Sequence, residues 1–184
     1  MTIVLVLDNR PLTEAEFLAI CETPERIELF DGSLYITADP APLHQHFSAM
    51  LAMALRPAAE RAGLHVLRGA NVRLRPNRVP IPDLVLTAAI DFGEPVVDGS
   101  AVRLVCEVLS PHNAAIDRVL KMHYYAAAGI PWYLLVDPNT GTLQLFELVG
   151  EIYKEHSAGT PGVPLRLSDP VVVSIDPAEL LPPS

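Results

Sequence analysis

Residues 103–111 read Arg-Leu-Val-Cys-Glu-Val-Leu-Ser-Pro, a nearly continuous apolar run that ends at Pro111. Such a run belongs to a strand covered on both faces, the position of a central strand in an α/β sheet. Glu107 lies inside it, and burying a carboxylate is costly unless a cation or hydrogen bonds compensate. The β-prone segment 81–87 likewise carries Asp83, in Pro82-Asp83-Leu84-Val85-Leu86. If the two strands are neighbours across the Gly/Pro-rich loop between them, both carboxylates can point at one spot and bind a hard divalent ion, with Mg2+ or Mn2+ best suited to oxygen ligands. In the alternative reading Asp83 caps the turn after proline and Glu107 pairs with an arginine such as Arg103.

The neighbouring segments alternate between the two periodicities. Upstream, Thr13-Glu14-Ala15-Glu16 is a capping-box pattern that predicts a short helix over 13–22. Arg26 to Thr37 reads as two short strands joined by Asp31-Gly32, a strong hairpin signal. Apolar residues at Phe47, Met50, Leu51, Ala54 and Leu55 form a helical stripe over 43–62, and Pro57 predicts a kink or break near Arg56. Three β-prone stretches follow, at 64–67, 71–75 and 81–87. Downstream, a helix over 113–128 stops at Gly129, Trp132 to Val136 is another interior strand, and a hairpin spans 142–149 and 152–156. An edge strand near 171–175 precedes a Pro-rich tail. The order predicts an α/β fold with a mixed central sheet flanked by helices and accessory N- and C-terminal hairpins. Residues 1–184 read as a single domain, with a core of about 13–149 and C-terminal strands and tail in 150–184.

Composition narrows the class. At 184 residues, 50% hydrophobic and 19% charged, the chain is expected to bury a full core and keep an apolar surface for self-association, and disorder is excluded. No apolar run approaches the ~20 residues of a membrane-spanning helix. The first residues lack the basic start and cleavage site of a signal peptide. Cys21 and Cys106 match no metal or redox spacing and read as reduced thiols of a cytoplasmic protein. A net charge of −9 excludes a surface given over wholly to non-specific nucleic-acid binding. Locally the balance reverses: Arg68, Arg73, Arg75 and Arg78 fall within eleven residues that contain no acid, a strip suited either to phosphate contacts or to a solvated strand face.

Further along, Asp117, Lys121 and either Tyr124 or Tyr125 recur at helical spacing, and Lys121 is one of two lysines in the chain. By itself the Asp117–Lys121 spacing also fits a surface ion pair. His44-Gln45-His46 offers a His-x-His pair for zinc, but on a helix those side chains diverge by ~200°.

Glu28-Leu29-Phe30-Asp31-Gly32, Pro42-Leu43-His44, Pro82-Asp83, Glu107-Val108-Leu109-Ser110-Pro111, Asp117, Lys121, Tyr125, Gly129 and Trp132 to Pro138 together resemble the Uma2-like restriction-endonuclease family of the PD-(D/E)XK nuclease superfamily. The resemblance covers roughly residues 13–149. It implies a restriction-endonuclease-like core hydrolysing DNA phosphodiester bonds, in which Asp83 and Glu107 hold Mg2+ or Mn2+ and a lysine stabilises charge on the phosphate. In the superfamily pattern that lysine lies two residues after the acid, where this chain has Leu109, so the role passes to Lys121 on the following helix, held by Asp117. Glu28 and His44 match the pattern as further active-site residues, with His44 fitting a helix-start role equally well, and Tyr125 is either a core or rim aromatic or a phosphate contact. Cutting both strands of DNA needs two sites, hence a homodimer. The competing expectation is a catalytically degenerate nuclease-fold module for dimerisation or regulation.

Overall fold

A computed structural model describes residues 2–5, 10–20, 25–37, 40–110 and 116–183, with the backbone alone for 2–5, 116 and 117. Its strands are β1 (Thr2–Leu5), β2 (Arg26–Phe30), β3 (Ser33–Thr37), β4 (His65–Arg68), β5 (Val72–Arg73), β6 (Arg78–Val79), β7 (Leu84–Thr87), β8 (Val97–Asp98), β9 (Val102–Val108), β10 (Trp132–Asp137), β11 (Thr142–Val149), β12 (Ile152–Gly159), β13 (Leu165–Leu167) and β14 (Val173–Ile175). The helices are α1 (Glu14–Leu18), α2 (Pro42–Arg61) and α3 (Met122–Ala127), the last continuing a π-helical segment, Ile116–Lys121.

The main sheet has the order β12-β11-β10-β9-β7-β4. Only its β9–β10 pair is parallel. A parallel pair requires a crossover, and the crossover between β9 and β10 contains the π-helical segment and α3. The pleat sends alternate side chains to opposite faces. On one face Leu84, Leu86, Leu104, Cys106, Val108, Leu134 and Val136 pack with Phe47, Leu51 and Leu55 of α2. On the other, Val85, Val105, Tyr133 and Leu135 pack with Tyr125 and Ile130. A second sheet, β1-β3-β2-β6, carries the N-terminal hairpin. Its turn residues Asp31 and Gly32 have φ of 52° and 87°, the left-handed pair that a two-residue hairpin turn demands.

Several local expectations change. The capping box forms on Thr13, but α1 ends at Leu18, and residues 21–24, Cys21 among them, lie outside the described residues. α2 runs unbroken through Pro57, whose position on an exposed stretch of the helix leaves the displaced carbonyl to solvent. Of the predicted strand 71–75 only Val72 and Arg73 pair as a strand, with β8. The helix predicted from 113 is described from Ile116 and is π-helical as far as Lys121; residues 111–115 lie outside the described residues. The strand near 171–175 pairs with β13 and not with the main sheet. The C-terminal strands join the core, with Leu165, Leu167, Val171, Ile175 and Leu180 buried on the α2 side. Cys106 is a buried free thiol, and burial together with the charges of Glu107 and Asp83 pushes its pKa well up, so it stays protonated.

Candidate active site

Register brings the two strand carboxylates together. β7 and β9 pair antiparallel with Leu84 opposite Cys106, so Asp83, one residue before β7, falls opposite Glu107. Alternation puts Glu107 on the same face as Val105, the face covered by α3. Lys121 closes the π-helical turn and Tyr125 follows four residues later, which directs both side chains to that face. From the second sheet, Arg26 and Glu28 stand two residues apart on β2 and share a face.

Five elements thus converge on one buried polar cluster. Glu28, His44, Asp83, Glu107 and Lys121 are all nearly excluded from solvent. Lys121 Nζ lies 2.9 Å from Glu28 Oε1 and donates to Glu107 Oε1 at 3.2 Å. The Tyr125 hydroxyl donates to the same Glu107 oxygen at 2.7 Å. Burial and then the Glu107 charge push this phenol well above its ordinary pKa, so it remains a donor. Glu28 Oε1 also accepts the Ile81 backbone N–H at 2.8 Å. Asp83 receives three donors: Arg26 Nη1 on Oδ1 at 2.7 Å, with His44 Nε2 at 3.0 Å and the Val108 N–H at 2.8 Å on Oδ2. Burial pushes its carboxyl up, but the His44 hydrogen bond and the charges of Arg26, His44 and Lys121 outweigh that and hold it well below the usual carboxylate range.

The carboxylates of Glu28, Asp83 and Glu107 share this cluster with Arg26 and Lys121. A cavity of about 20 Å³ lies among Arg26, Glu28, Thr37, His44, Asp83, Glu107, Val108, Ser110 and Lys121, room for one water or one small ion. Among the described residues no group of three or more His, Cys, Asp and Glu side chains is placed to hold a metal. Two carboxylates and a cavity of ionic size nevertheless suit Mg2+, which keeps several of its waters and takes one or two protein carboxylates. A wider cleft of about 360 Å³ adjoins the cluster, lined by Arg26, Pro40, His44, Gln45, Ser48, Arg68, Gly69 and Asp83.

Other predicted residues lie elsewhere or act differently. Lys121 is buried, which removes the surface-pair reading, while the Asp117 side chain lies outside those described. Arg68 lines the cleft and donates from Nε to Ser48 Oγ at 3.1 Å. The rest of the arginine strip is tied to acids, with Arg73 on Glu14 at 2.5 Å, and Arg75 and Arg78 both on Asp31 at 2.6 Å. Arg78 is itself buried and stacks on the Tyr124 ring. These three brace α1 and the hairpin turn. The zinc reading also fails, because His44 faces Asp83 whereas His46 lies edge-on to Phe47. Arg26 is the residue that sequence reasoning passed over. Its signal was the two-residue spacing from Glu28 on a strand.

The architecture is a nuclease fold. A crystal structure described as "a putative nuclease belonging to DUF820 from Anabaena variabilis ATCC 29413" aligns with a TM-score of 0.75 at 14% identity, over 92% of this chain and 97% of that one. The chain belongs to the Uma2 family, described as "Putative restriction endonuclease", whose family model matches residues 14–178. Comparison with curated proteins gives no match. Among the described residues no helix is long and apolar enough to cross a membrane.

Proposed function

We propose that the chain is a metal-dependent endonuclease that hydrolyses DNA phosphodiester bonds, with Asp83 and Glu107 holding Mg2+ or Mn2+. The observation that carries this reading is the register that sets Asp83 opposite Glu107 beside an ion-sized cavity, with Lys121 on Glu107. When bound, the cation supplies a Lewis acid that acidifies water and screens the phosphate charge. Lys121, reached from the crossover and not from β9, offsets negative charge developing on the phosphate. Glu28 and Glu107 hold its ammonium in place, and Tyr125 fixes the Glu107 carboxylate. His44 keeps a proton at Nε2 toward Asp83 and orients that carboxylate. The DNA backbone enters by the cleft, where Arg68 and the polar wall of α2 meet phosphate. A homodimer supplies one site per strand of the duplex, and sedimentation tests it.

Calorimetric titration with Mg2+ and Mn2+ tests the metal assignment. The wild type is expected to bind, and Asp83→Asn and Glu107→Gln each to weaken binding at least about tenfold. A second reading, an inactive module of the same fold, draws on the saturation of Asp83 by Arg26, His44 and a backbone N–H. Absence of metal binding by the wild type would favour it.

A further inference from the structure

Among the described residues, Arg26 combines an ion pair to a buried carboxylate with buried, unpaired donors. Its Nη1 rests on Asp83 Oδ1, yet its Nε and Nη2 are buried and, among the described residues, have no hydrogen-bond partner. A guanidinium carries five donor hydrogens, and an unpaired buried donor is costly. Burial pulls its pKa down, but the carboxylates of Asp83, Glu28 and Glu107 outweigh that and raise it, so the charge is permanent. The group is therefore held by charge and poorly satisfied in its hydrogen bonds. It also lines both the small cavity among the carboxylates and the wider cleft beside it. Asp83 cannot give the same oxygen to Arg26 and to a divalent ion at full strength, because the two cations compete for one carboxylate.

The geometry points to Arg26 as an exchangeable counter-cation: it neutralises Asp83 in the metal-free protein, yields Asp83 to the incoming divalent ion, and then donates its freed N–H groups to a phosphate oxygen of a nucleic-acid backbone in the cleft. This inference rests on the metal-dependent reading of Asp83 and Glu107. No bond is made or broken in it, only hydrogen bonds and ion contacts. Metal and phosphate binding are thereby coupled, and the coupling is reciprocal, so each ligand strengthens the other. A bidentate guanidinium–phosphate contact would satisfy the Nε and Nη2 donors.

The test uses the full-length chain and two calorimetric titrations, one with Mn2+ and one with a short DNA duplex in Ca2+. Arg26→Met is expected to bind Mn2+ about tenfold tighter than the wild type and the duplex at least about tenfold weaker. Arg68→Met, which removes a cleft cation that does not touch Asp83, is expected to weaken duplex binding with Mn2+ affinity held within about twofold. Arg26→Lys, which keeps charge and most of the packing, is expected to fall between wild type and Arg26→Met on both axes, and circular dichroism establishes that each variant is folded. Unchanged or weaker Mn2+ binding by folded Arg26→Met and Arg26→Lys, while the wild type binds the ion through Asp83, overturns the exchange and leaves the nuclease reading intact. Failure of both the wild type and Arg26→Met to bind Mn2+ overturns the nuclease reading, and the exchange with it.

Discussion

Asp83 concentrates the chemistry of the site in one carboxyl group. Its three donors come from β2, α2 and the backbone of β9, so a single side chain ties the hairpin, the long helix and the central strand together. Because its folded pKa lies below its ordinary value of 3.8, its contribution to stability is complete above that value and is lost as pH falls. Urea unfolding between pH 5 and pH 3 is expected to show stability falling less steeply in Asp83→Asn than in the wild type. Parallel pH profiles would mean that the ionised form gains nothing from its partners. The sequence exposed this residue and Glu107 because each is a carboxylate inside an apolar run. Arg26 escaped notice because an arginine at the start of a hairpin strand is unremarkable until its partner strand is known.

The hairpin β2–β3 is an element on which the site depends. Glu28 reaches Lys121 only if the Asp31-Gly32 turn holds, and that turn is clamped by Arg75, Arg78 and the Tyr124 hydroxyl on Asp31. The Arg78 hydrogen bond, the largest influence, together with Arg75 brings the Asp31 carboxyl down to about 2 against the opposing effect of burial. Gly32 has φ +87°, and a Cβ there would stand 2.3 Å from the Pro11 Cβ and 2.8 Å from the Pro11 Cα. Gly32→Ala is therefore expected to cost more than about 2 kcal/mol in thermal or urea unfolding, through backbone strain and a clash with a rigid neighbour. A loss below about 0.5 kcal/mol would show that the turn is not fixed in this way. The hairpin was legible from Asp-Gly between β-prone runs, but its role was not. Periodicity alone treats it as accessory and only the family resemblance singles out Glu28; the pairing of β2 with β6 and the contact with Lys121 show how it joins the cluster. The π-helical segment was equally hidden, since residue spacing that looks α-helical does not reveal a widened turn. That segment ends on Lys121, in keeping with the tendency of π-turns to mark functional sites.

Across the whole molecule, the C-terminal region completes the core on the α2 side. Leu165, Leu167, Val171, Ile175 and Leu180 are all nearly or fully buried there. At about 1.5–3 kcal/mol for each buried aliphatic side chain, their loss is comparable with the entire stability of a domain. A chain ending at Gly159 is expected to lose cooperative unfolding by circular dichroism, whereas a folded, cooperative fragment would show that the region is dispensable. The family match runs to residue 178, past the 149 at which the sequence resemblance ends, and includes all of these residues except Leu180. Short strands separated by prolines carry little periodic signal, and their burial follows from packing against α2, a tertiary fact. The mixed sheet, its main strands and the two central acids were readable because apolar runs and their interruptions are local. The most direct test of the nuclease reading is cleavage of supercoiled plasmid DNA in Mn2+, followed by gel for the wild type and Glu107→Gln. Nicked and linear products from the wild type, absent in EDTA and reduced at least about a hundredfold in folded Glu107→Gln, are the predicted result. Equal cleavage by the two proteins, or none by a wild type shown to be folded, would contradict it.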